Sequence, residues 1–361
     1  MGTLFFTGFP GFLGSRLLPR VLGRDPGATA TCLVQAKFAG TARLRVQELT
    51  GSHPFLDGRI HLVEGDLTMP GLGLADPAAL ARATTEIFHL GAVYDLGVAR
   101  DVAMAVNVEG TRNVLRFARD CPDLRRHHYV STCYVSGRFC GPFAETDLDR
   151  GQSFNNFYEE TKFLAELEVA RSREAGVPTT VYRPSIVVGD SRTGETQKFD
   201  GPYFMLRWML KQGGTALVPY VGDPTMARFN VVPSDFVLDA ISHLSAHGES
   251  VGVTYQLADP APLTVDELLS AMLEATGQRG LRIRLPKHLA MWALGTRPVQ
   301  PLVGIPPSAV PYFTHPTHYL TEHALRDLGG SGISCPPLRS YLPTLVDYLR
   351  THRASGQGAM V

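Results

Sequence analysis

The sequence predicts an α/β fold, a doubly wound parallel sheet with a smaller C-terminal lobe. Three observations predict it. A short apolar run ends in a glycine-spaced turn that opens a helical pattern. Strand-like and helix-like stretches then alternate over about 185 residues, as expected for parallel strand-helix-strand units. Beyond that the alternation loosens, and apolar and Pro-rich stretches take over.

The first element, Thr3-Leu4-Phe5-Phe6, reads as a buried strand from its unbroken apolar run. Thr7-Gly8-Phe9-Pro10-Gly11-Phe12-Leu13-Gly14 follows, and then Ser15 to Leu22 at helical spacing. Gly8 permits a tight turn, Gly11 lets backbone approach a pyrophosphate, and Gly14 lets helix and strand pack closely. Phosphates would meet free N–H groups and the positive end of a helix dipole there. The spacing is G-x-x-G-x-x-G. Between a strand and a helix, it predicts a dinucleotide site in a Rossmann-type domain over residues 1–190.

Ala30 to Val34 is a second strand, closing at Gln35. The residue at that point faces the adenosine ribose, where an acid would reject a 2′-phosphate. Gln35 is neutral, and Lys37 and Arg43 follow, so NADP(H) is expected over NAD(H). Arg59 to Gly65 is a third strand, with Asp66 and Leu67 placed to meet the adenine. Pro77 opens a short helix. Glu86 to Ala92 reads as a fourth strand whose end, Leu90-Gly91-Ala92, lies along the cofactor. Val102 to Cys121 reads as one helix, with Asn107 as a candidate for the site. His127 to Val130 is a fifth strand that runs into Ser131-Thr132. A long helix after Phe154 carries Tyr158 and Lys162, and Thr179 to Pro184 is a sixth strand. In such sheets ligands bind beyond the carboxyl ends of the strands, where these motifs fall.

Residues 191–354 read as a substrate-binding lobe. It holds a polar loop, an apolar helix from Pro202 to Gln212, a strand from Arg228 to Val232, and a helix begun by Pro233-Ser234-Asp235. Thr264 and Glu267 form a capping box. Leu285 to Pro316 is Pro-rich, Tyr341 to Leu349 is a closing helix, and residues 355–361 are a frayed tail.

Tyr158 and Lys162 share a helix face. An ammonium close to a phenol favours the phenolate. Such a tyrosine exchanges a proton with an alkoxide or an alcohol. Thr132 is placed to hydrogen-bond the same oxygen. Thr132, Tyr158 and Lys162 are therefore the candidate catalytic set.

Composition narrows the partners. Apolar residues at 44% and charged residues at 19% suit a folded chain rather than a disordered one. Lys+Arg and Asp+Glu both total 34, so net charge argues for neither nucleic acid nor an anionic membrane. The five cysteines are odd in number and lack C-x-x-C, so reduced thiols in a cytoplasmic protein are expected. Cys133 and Cys140 read as small packing residues. His315, His318 and His323 lack neighbouring Cys or paired acids, so no metal is expected. No apolar run reaches the length of a membrane span.

With these residues in place, the chain resembles the extended short-chain dehydrogenase/reductases over residues 3–260. Within them it is similar to the thioester reductase group, which includes fatty acyl-CoA reductases and terminal reductase domains of carboxylic acid reductases and nonribosomal peptide synthetases. The marks are Thr7 to Gly14, Phe88-His89-Leu90-Gly91-Ala92, Asn107 to Thr111, Val130-Ser131-Thr132, Tyr158 to Glu166, Gly189 to Gly194, and Phe229 to Pro233. The resemblance implies Thr132, Tyr158 and Lys162 as the catalytic set, and Pro184 and Ser185 beside the nicotinamide. Gln35 stands where these reductases often place an arginine. The expected activity is NADPH-dependent reduction of an acyl thioester, on CoA or a carrier protein, to an aldehyde and optionally the alcohol. The same three residues would serve a dehydrogenase or epimerase of a secondary alcohol, such as a sterol or sugar nucleotide. A cofactor-binding regulator without chemistry is the non-enzymatic alternative.

Overall fold

A sheet of seven parallel strands organises the computed structural model, which describes residues 2–286, 288–289, 292 and 305–352. In chain order its strands are β1 (Thr3–Thr7), β2 (Thr29–Val34), β3 (Ile60–Glu64), β4 (Thr84–His89), β5 (Arg126–Val130), β6 (Thr179–Pro184) and β7 (Thr254–Leu257). Their order across the sheet is β7-β6-β5-β4-β1-β2-β3. The winding reverses between β1 and β4, so the crevice of a doubly wound fold opens beyond their carboxyl ends.

One face of the sheet carries a row of rings. Phe6 stacks on Phe88 with centroids 4.8 Å apart, and Phe88 stacks on His128 at 4.2 Å. Tyr182 and Tyr255 continue the row across β6 and β7. Helices α1 (Phe12–Leu22) and α6 (Ser234–Ala246) cover this face through Leu17, Leu18, Val237 and Ile241. On the other face Phe5 and Ile87 pack against Val114 and Phe117 of α3 (Gly110–Arg119). Tyr129 and Val181 there meet Ala165 and Val169 of α4 (Phe157–Glu174). Helix α2 (Ala39–Ser52) follows β2.

A second core gathers α5 (Pro202–Lys211), α7 (Val265–Thr276) and α8 (Leu338–Thr351) around Leu206, Met209, Leu268, Met272 and Val346. Helix α6 and strand β7 lie beyond residue 190 but complete the sheet, so the two halves are not consecutive stretches of chain.

Three expected elements differ. Strand β4 stops at His89, because β1 leaves the sheet at Gly8 and the last bond across is Leu90 N–H to Thr7 O. Leu90 to Ala92 therefore lie past the strand. The helix expected over 102–121 is broken by a wide π turn, Met104–Glu109, between Arg100–Ala103 and α3. Such turns gather at functional sites. The strand expected over 228–232 is split: Val231–Pro233 pairs beside Ile186–Val188, while Arg228 makes a single antiparallel bridge to Thr264. Asn230 is held instead through its side chain, which exchanges two hydrogen bonds with the Asp259 backbone. Two further pairings lie outside the expected strands. Gly141–Phe143 lies beside Thr317–Tyr319, and Thr215–Val221 beside Arg279–Leu285.

Candidate active site

The chain leaves β1 at Thr7 and turns at Gly8, whose φ is +89°. A Cβ on Gly8 would stand 2.8 Å from the Leu90 carbonyl carbon, so the turn presses on the segment after β4. A Cβ on Gly14 would stand 2.6 Å from the Gly8 oxygen, so α1 begins directly over the turn. Gly11 precedes α1 with no side-chain cap. The first-turn N–H groups of α1 stay directed at the turn, with the positive dipole end behind them. This arrangement fits a pyrophosphate. Thr7, Gly8, Phe9, Pro10, Gly11, Phe12, Leu13 and Gly14 all lie in it.

Beside it, at the ends of β2 and β3, the Gln35 amide donates to Asp66 Oδ2 at 2.9 Å. Asp66 Oδ1 accepts from the Thr68 N–H and hydroxyl, each at 2.8 Å. Leu67 packs over Gly91, where a Cβ would stand 2.7 Å from its side chain. The Lys37 ammonium lies 5.0 Å over the Phe38 ring, and Arg43 is exposed on α2. The carboxylate of Asp66 is thus already occupied by protein donors.

Under the turn runs a chain of buried hydrogen bonds that no local sequence pattern announces. Gly91 N–H donates to Thr7 Oγ1 at 3.0 Å, and Thr7 Oγ1 meets His89 Nδ1 at 2.7 Å. His89 Nε2 meets Thr111 Oγ1 at 3.0 Å, and that hydroxyl donates to Asn107 O at 2.6 Å. Thr111 spends its proton on Asn107, so His89 carries its own proton on Nε2 and accepts at Nδ1. Burial holds His89 well below the usual imidazole range, so it stays neutral. Asn107 is a sequence candidate for direct cofactor contact. Its Oδ1 accepts Val93 N–H at 2.9 Å, and its Nδ2 donates to Thr161 Oγ1 at 3.0 Å. In this structure it ties the segment after β4 to α4.

The three catalytic candidates converge at the ends of β5 and β6. Asn156 starts α4 by accepting from Glu159 N–H, which sets Tyr158 in the first turn. The Thr132 side chain faces the Tyr158 phenol and favours its ionised form against burial. Thr132 also donates to Pro184 O at 3.4 Å and accepts from Tyr134 N–H at 3.2 Å. Tyr94 stands edge-on to Tyr158, ring centroids 5.1 Å apart. Ser185 donates to Asn230 O at 2.7 Å, which fixes the chain just past Pro184.

The expectation that Lys162 lowers the Tyr158 pKa is corrected. Lys162 Nζ donates to Tyr129 OH at 3.0 Å and to Val130 O at 2.9 Å, away from Tyr158. The residues share a helix face, but the long lysine stem reaches down to β5. Burial raises the Tyr158 phenol, with the Thr132 side chain opposing, so it stays protonated as an acid. Burial brings Lys162 down to about 8, with Glu166 opposing.

A buried ion pair supports this corner. Arg183 and Glu166 meet at 2.6 Å, and each is 2% exposed. Glu166 also accepts from the Ser131 hydroxyl, and Arg183 donates to Asp147 O at 2.8 Å. Polar residues inside strands that ought to be apolar, His89, His127, His128 and Tyr129, are the sequence signal that could have exposed these networks.

The sequence offers Phe204, Leu206, Trp208, Met209, Met291, Trp292 and Leu294 as the walls of an apolar acyl channel, with Arg192 and Lys198 for a phosphate at its mouth, and the structure corrects several of these expectations for the lobe. Leu206 and Met209 are fully buried in its core rather than lining a channel. Phe204 and Trp208 are partly buried against that core, and the Trp208 indole donates to Leu217 O. Trp292 is 69% exposed, while Met291 and Leu294 lie outside the described residues, as does the tail 355–361. Arg192 faces Asp190 and Asp235, and Lys198 donates to Tyr94 O at 2.9 Å, so neither is a free cation at a mouth. Cys133 is buried, but Cys140, expected to pack, is exposed. His315 bonds Tyr319 OH and His323 bonds Thr254 O. A cavity of about 300 Å³ opens elsewhere, beside Glu145, Arg173, Arg183 and Arg326. Its cations already face protein acceptors, and it lies away from Tyr158.

The NAD-binding family model described as male sterility protein matches residues 6–241. The terminal R domain of the myxalamid PKS-NRPS pathway is 30% identical, with a TM-score of 0.82 over 98% of this chain and 92% of that one. The chain belongs to this family. It is a member of the thioester reductase group of the extended short-chain dehydrogenase/reductases and an NAD(P)-dependent oxidoreductase. A linear gramicidin synthase polypeptide of Brevibacillus parabrevis is 31% identical over 278 residues, 74% of this chain. The chain spans only 5% of that relative's length. UDP-glucuronic acid 4-epimerase of Bacillus cereus, in complex with NAD, has a TM-score of 0.67 over 99% of each chain at 16% identity, a likeness of fold alone. Among the described residues, no helix is long and apolar enough to cross a membrane.

Proposed function

We propose that this reductase acts on an acyl thioester, on CoA or a carrier protein, releases a thiol and an aldehyde, and uses NADPH. The observation that carries the reading is the Thr132–Tyr158 contact at the strand ends, beside the glycine cradle, in a chain of the thioester reductase group. Thr7 to Gly14 would hold the pyrophosphate, and Gln35, Lys37, Arg43, Asp66 and Leu67 would surround the adenosine. Leu90 to Ala92, Pro184 and Ser185 would line the nicotinamide end. Neutral Gln35, with Asp66 turned to its own amide and to Thr68, leaves no carboxylate committed against a 2′-phosphate. The relatives' place in nonribosomal peptide synthetases favours carrier delivery. Residues 191–354 are proposed as the substrate side.

The nicotinamide, when bound, supplies the hydride. Tyr158 and Thr132 hold the thioester oxygen as it gains charge, and Tyr158 gives it a proton, forming a hemithioacetal. That adduct loses thiol as the C–S bond breaks and the C=O bond re-forms. Lys162 keeps a cation beside the site. Adding medium- and long-chain acyl-CoA and acyl-carrier thioesters with NADPH should release thiol detectable with a thiol reagent. Turnover of a ketone or secondary alcohol without thiol from any thioester would remove the proposal.

A further inference from the structure

We propose that Tyr129 is the positioning residue for Lys162, and that it couples the lysine to the glycine cradle. This rests on the reading of Lys162 as part of the reductase site. Tyr129 is buried at the end of β5, opposite His89 in the register of β4 and β5. It meets the ammonium in two ways. Its hydroxyl accepts from Nζ at 3.0 Å, and its ring lies 4.5 Å below the charge. Val130 O takes a second N–H. An ammonium has three donors, so one remains for a ligand.

The phenol itself is anchored. The Thr111 and Ser131 hydroxyls both face it. Thr111 has given its proton to Asn107 O, and Ser131 has given its proton to Glu166. Tyr129 therefore donates to one of these hydroxyls and presents only lone pairs to Lys162. Thr111 is also the partner of His89, whose other nitrogen meets Thr7 at the start of the glycine turn. Lys162, Tyr129, Thr111, His89 and Thr7 thus stand in one run of polar groups, joined throughout by hydrogen bonds when the Tyr129 proton is turned to Thr111. A change in the seat of Lys162 must be felt at the cradle. The titratable groups facing Lys162 are Tyr129 from β5, His89 from β4, Glu166 one turn on along α4, and Tyr158 one turn before it.

The test is Tyr129→Phe, which keeps the ring and removes the acceptor. The chain has five lysines, Lys37, Lys162, Lys198, Lys211 and Lys287, so 13Cε-lysine NMR can follow Lys162 alone, assigned with Lys162→Met. In the cofactor-free protein the Lys162 midpoint should fall by about one pH unit, as expected for losing one hydrogen bond to a charged group. NADPH affinity should weaken by about tenfold for the same loss. Thr111→Val, which leaves the phenol but frees its anchor, should move both readouts in the same direction by less. A purely structural role would lower the melting temperature and leave the lysine midpoint in place. An unchanged midpoint with unchanged NADPH affinity in Tyr129→Phe overturns the inference. Neither readout needs a substrate. Failure of every acyl thioester would remove the proposed function while the lysine titration still decides this point.

Discussion

The two halves of the molecule bury different chemistry. Beneath the glycine cradle the interior is polar, with His89, Thr111, Tyr129, Ser131, Glu166 and Arg183 bonded to one another or to backbone. The second core is apolar, built from Leu206, Met209, Ala216, Val218, Leu268, Met272 and Leu345. Hydrogen bonds fix distances and directions, and losing one partner strands the other. Apolar packing fixes volume and tolerates exchange at similar size. The half that must hold Thr132, Tyr158 and a nucleotide in one geometry uses the first device. The half proposed for acyl groups uses the second.

The largest effect should come from breaking the polar half. Arg183→Met leaves Glu166 buried without its partner and should cost about 3–5 kcal/mol, the range for breaking a buried pair. Leu206→Met in the apolar core should cost less than about 1.5 kcal/mol. Urea denaturation of the two variants makes the comparison directly, and equal losses would break it.

Tyr158→Phe removes the acid and leaves the cradle alone. The rate should fall by at least ~10²-fold, the lower range for general acid catalysis. NADPH affinity measured by fluorescence should hardly move. Full retained activity would exclude Tyr158 as the proton donor.

The pH profile follows from burial. Lys162 is lowered to about 8, whereas Tyr158 is raised and stays protonated. The cation is present below that value and lost above it. kcat/KM for NADPH should therefore hold on the neutral side and fall about tenfold per unit once pH passes 8. A profile flat through pH 9 would contradict a role for the Lys162 charge.

Gln35→Asp should have the smallest effect. A carboxylate there would oppose a 2′-phosphate and accept from a ribose hydroxyl. NADPH affinity should weaken by about tenfold, a difference of ~1.4 kcal/mol, with NADH improved. A wild-type protein that already prefers NADH would show that Gln35, Lys37 and Arg43 do not select for the 2′-phosphate.

The difference between the halves also governs what is legible in the sequence. Strands β1, β2 and β6, the glycine turn, and helix α4 with Tyr158 and Lys162 follow from periodicity and spacing, because apolar strands buried on both faces and glycine turns leave local marks. The lobe does not. Thr215–Val221 and Arg279–Leu285 pair across more than sixty residues, and nothing local in either announces the other. Leu206 and Met209 carry the same apolar signature whether they line a channel or fill a core, and the structure puts them in the core. The partner of Lys162 is hidden for another reason. Spacing four residues from Tyr158 gives a shared helix face, but the reach of a lysine stem to Tyr129 and Val130 depends on the strand beneath. His89 and Thr111 lie 22 residues apart and meet only because β4 and α3 are packed together.

The central claim is thioester reduction by Tyr158 and Thr132 beside a nicotinamide cradle. Its most direct test follows NADPH oxidation and free thiol together in one reaction of wild-type protein with an acyl-CoA or an acyl-carrier thioester. Thiol should appear in step with NADPH loss, mole for mole for an aldehyde product or half as much where the alcohol forms, and both signals should vanish together in Tyr158→Phe. NADPH oxidation with a ketone or secondary alcohol partner, and no thiol from any thioester, would contradict the account.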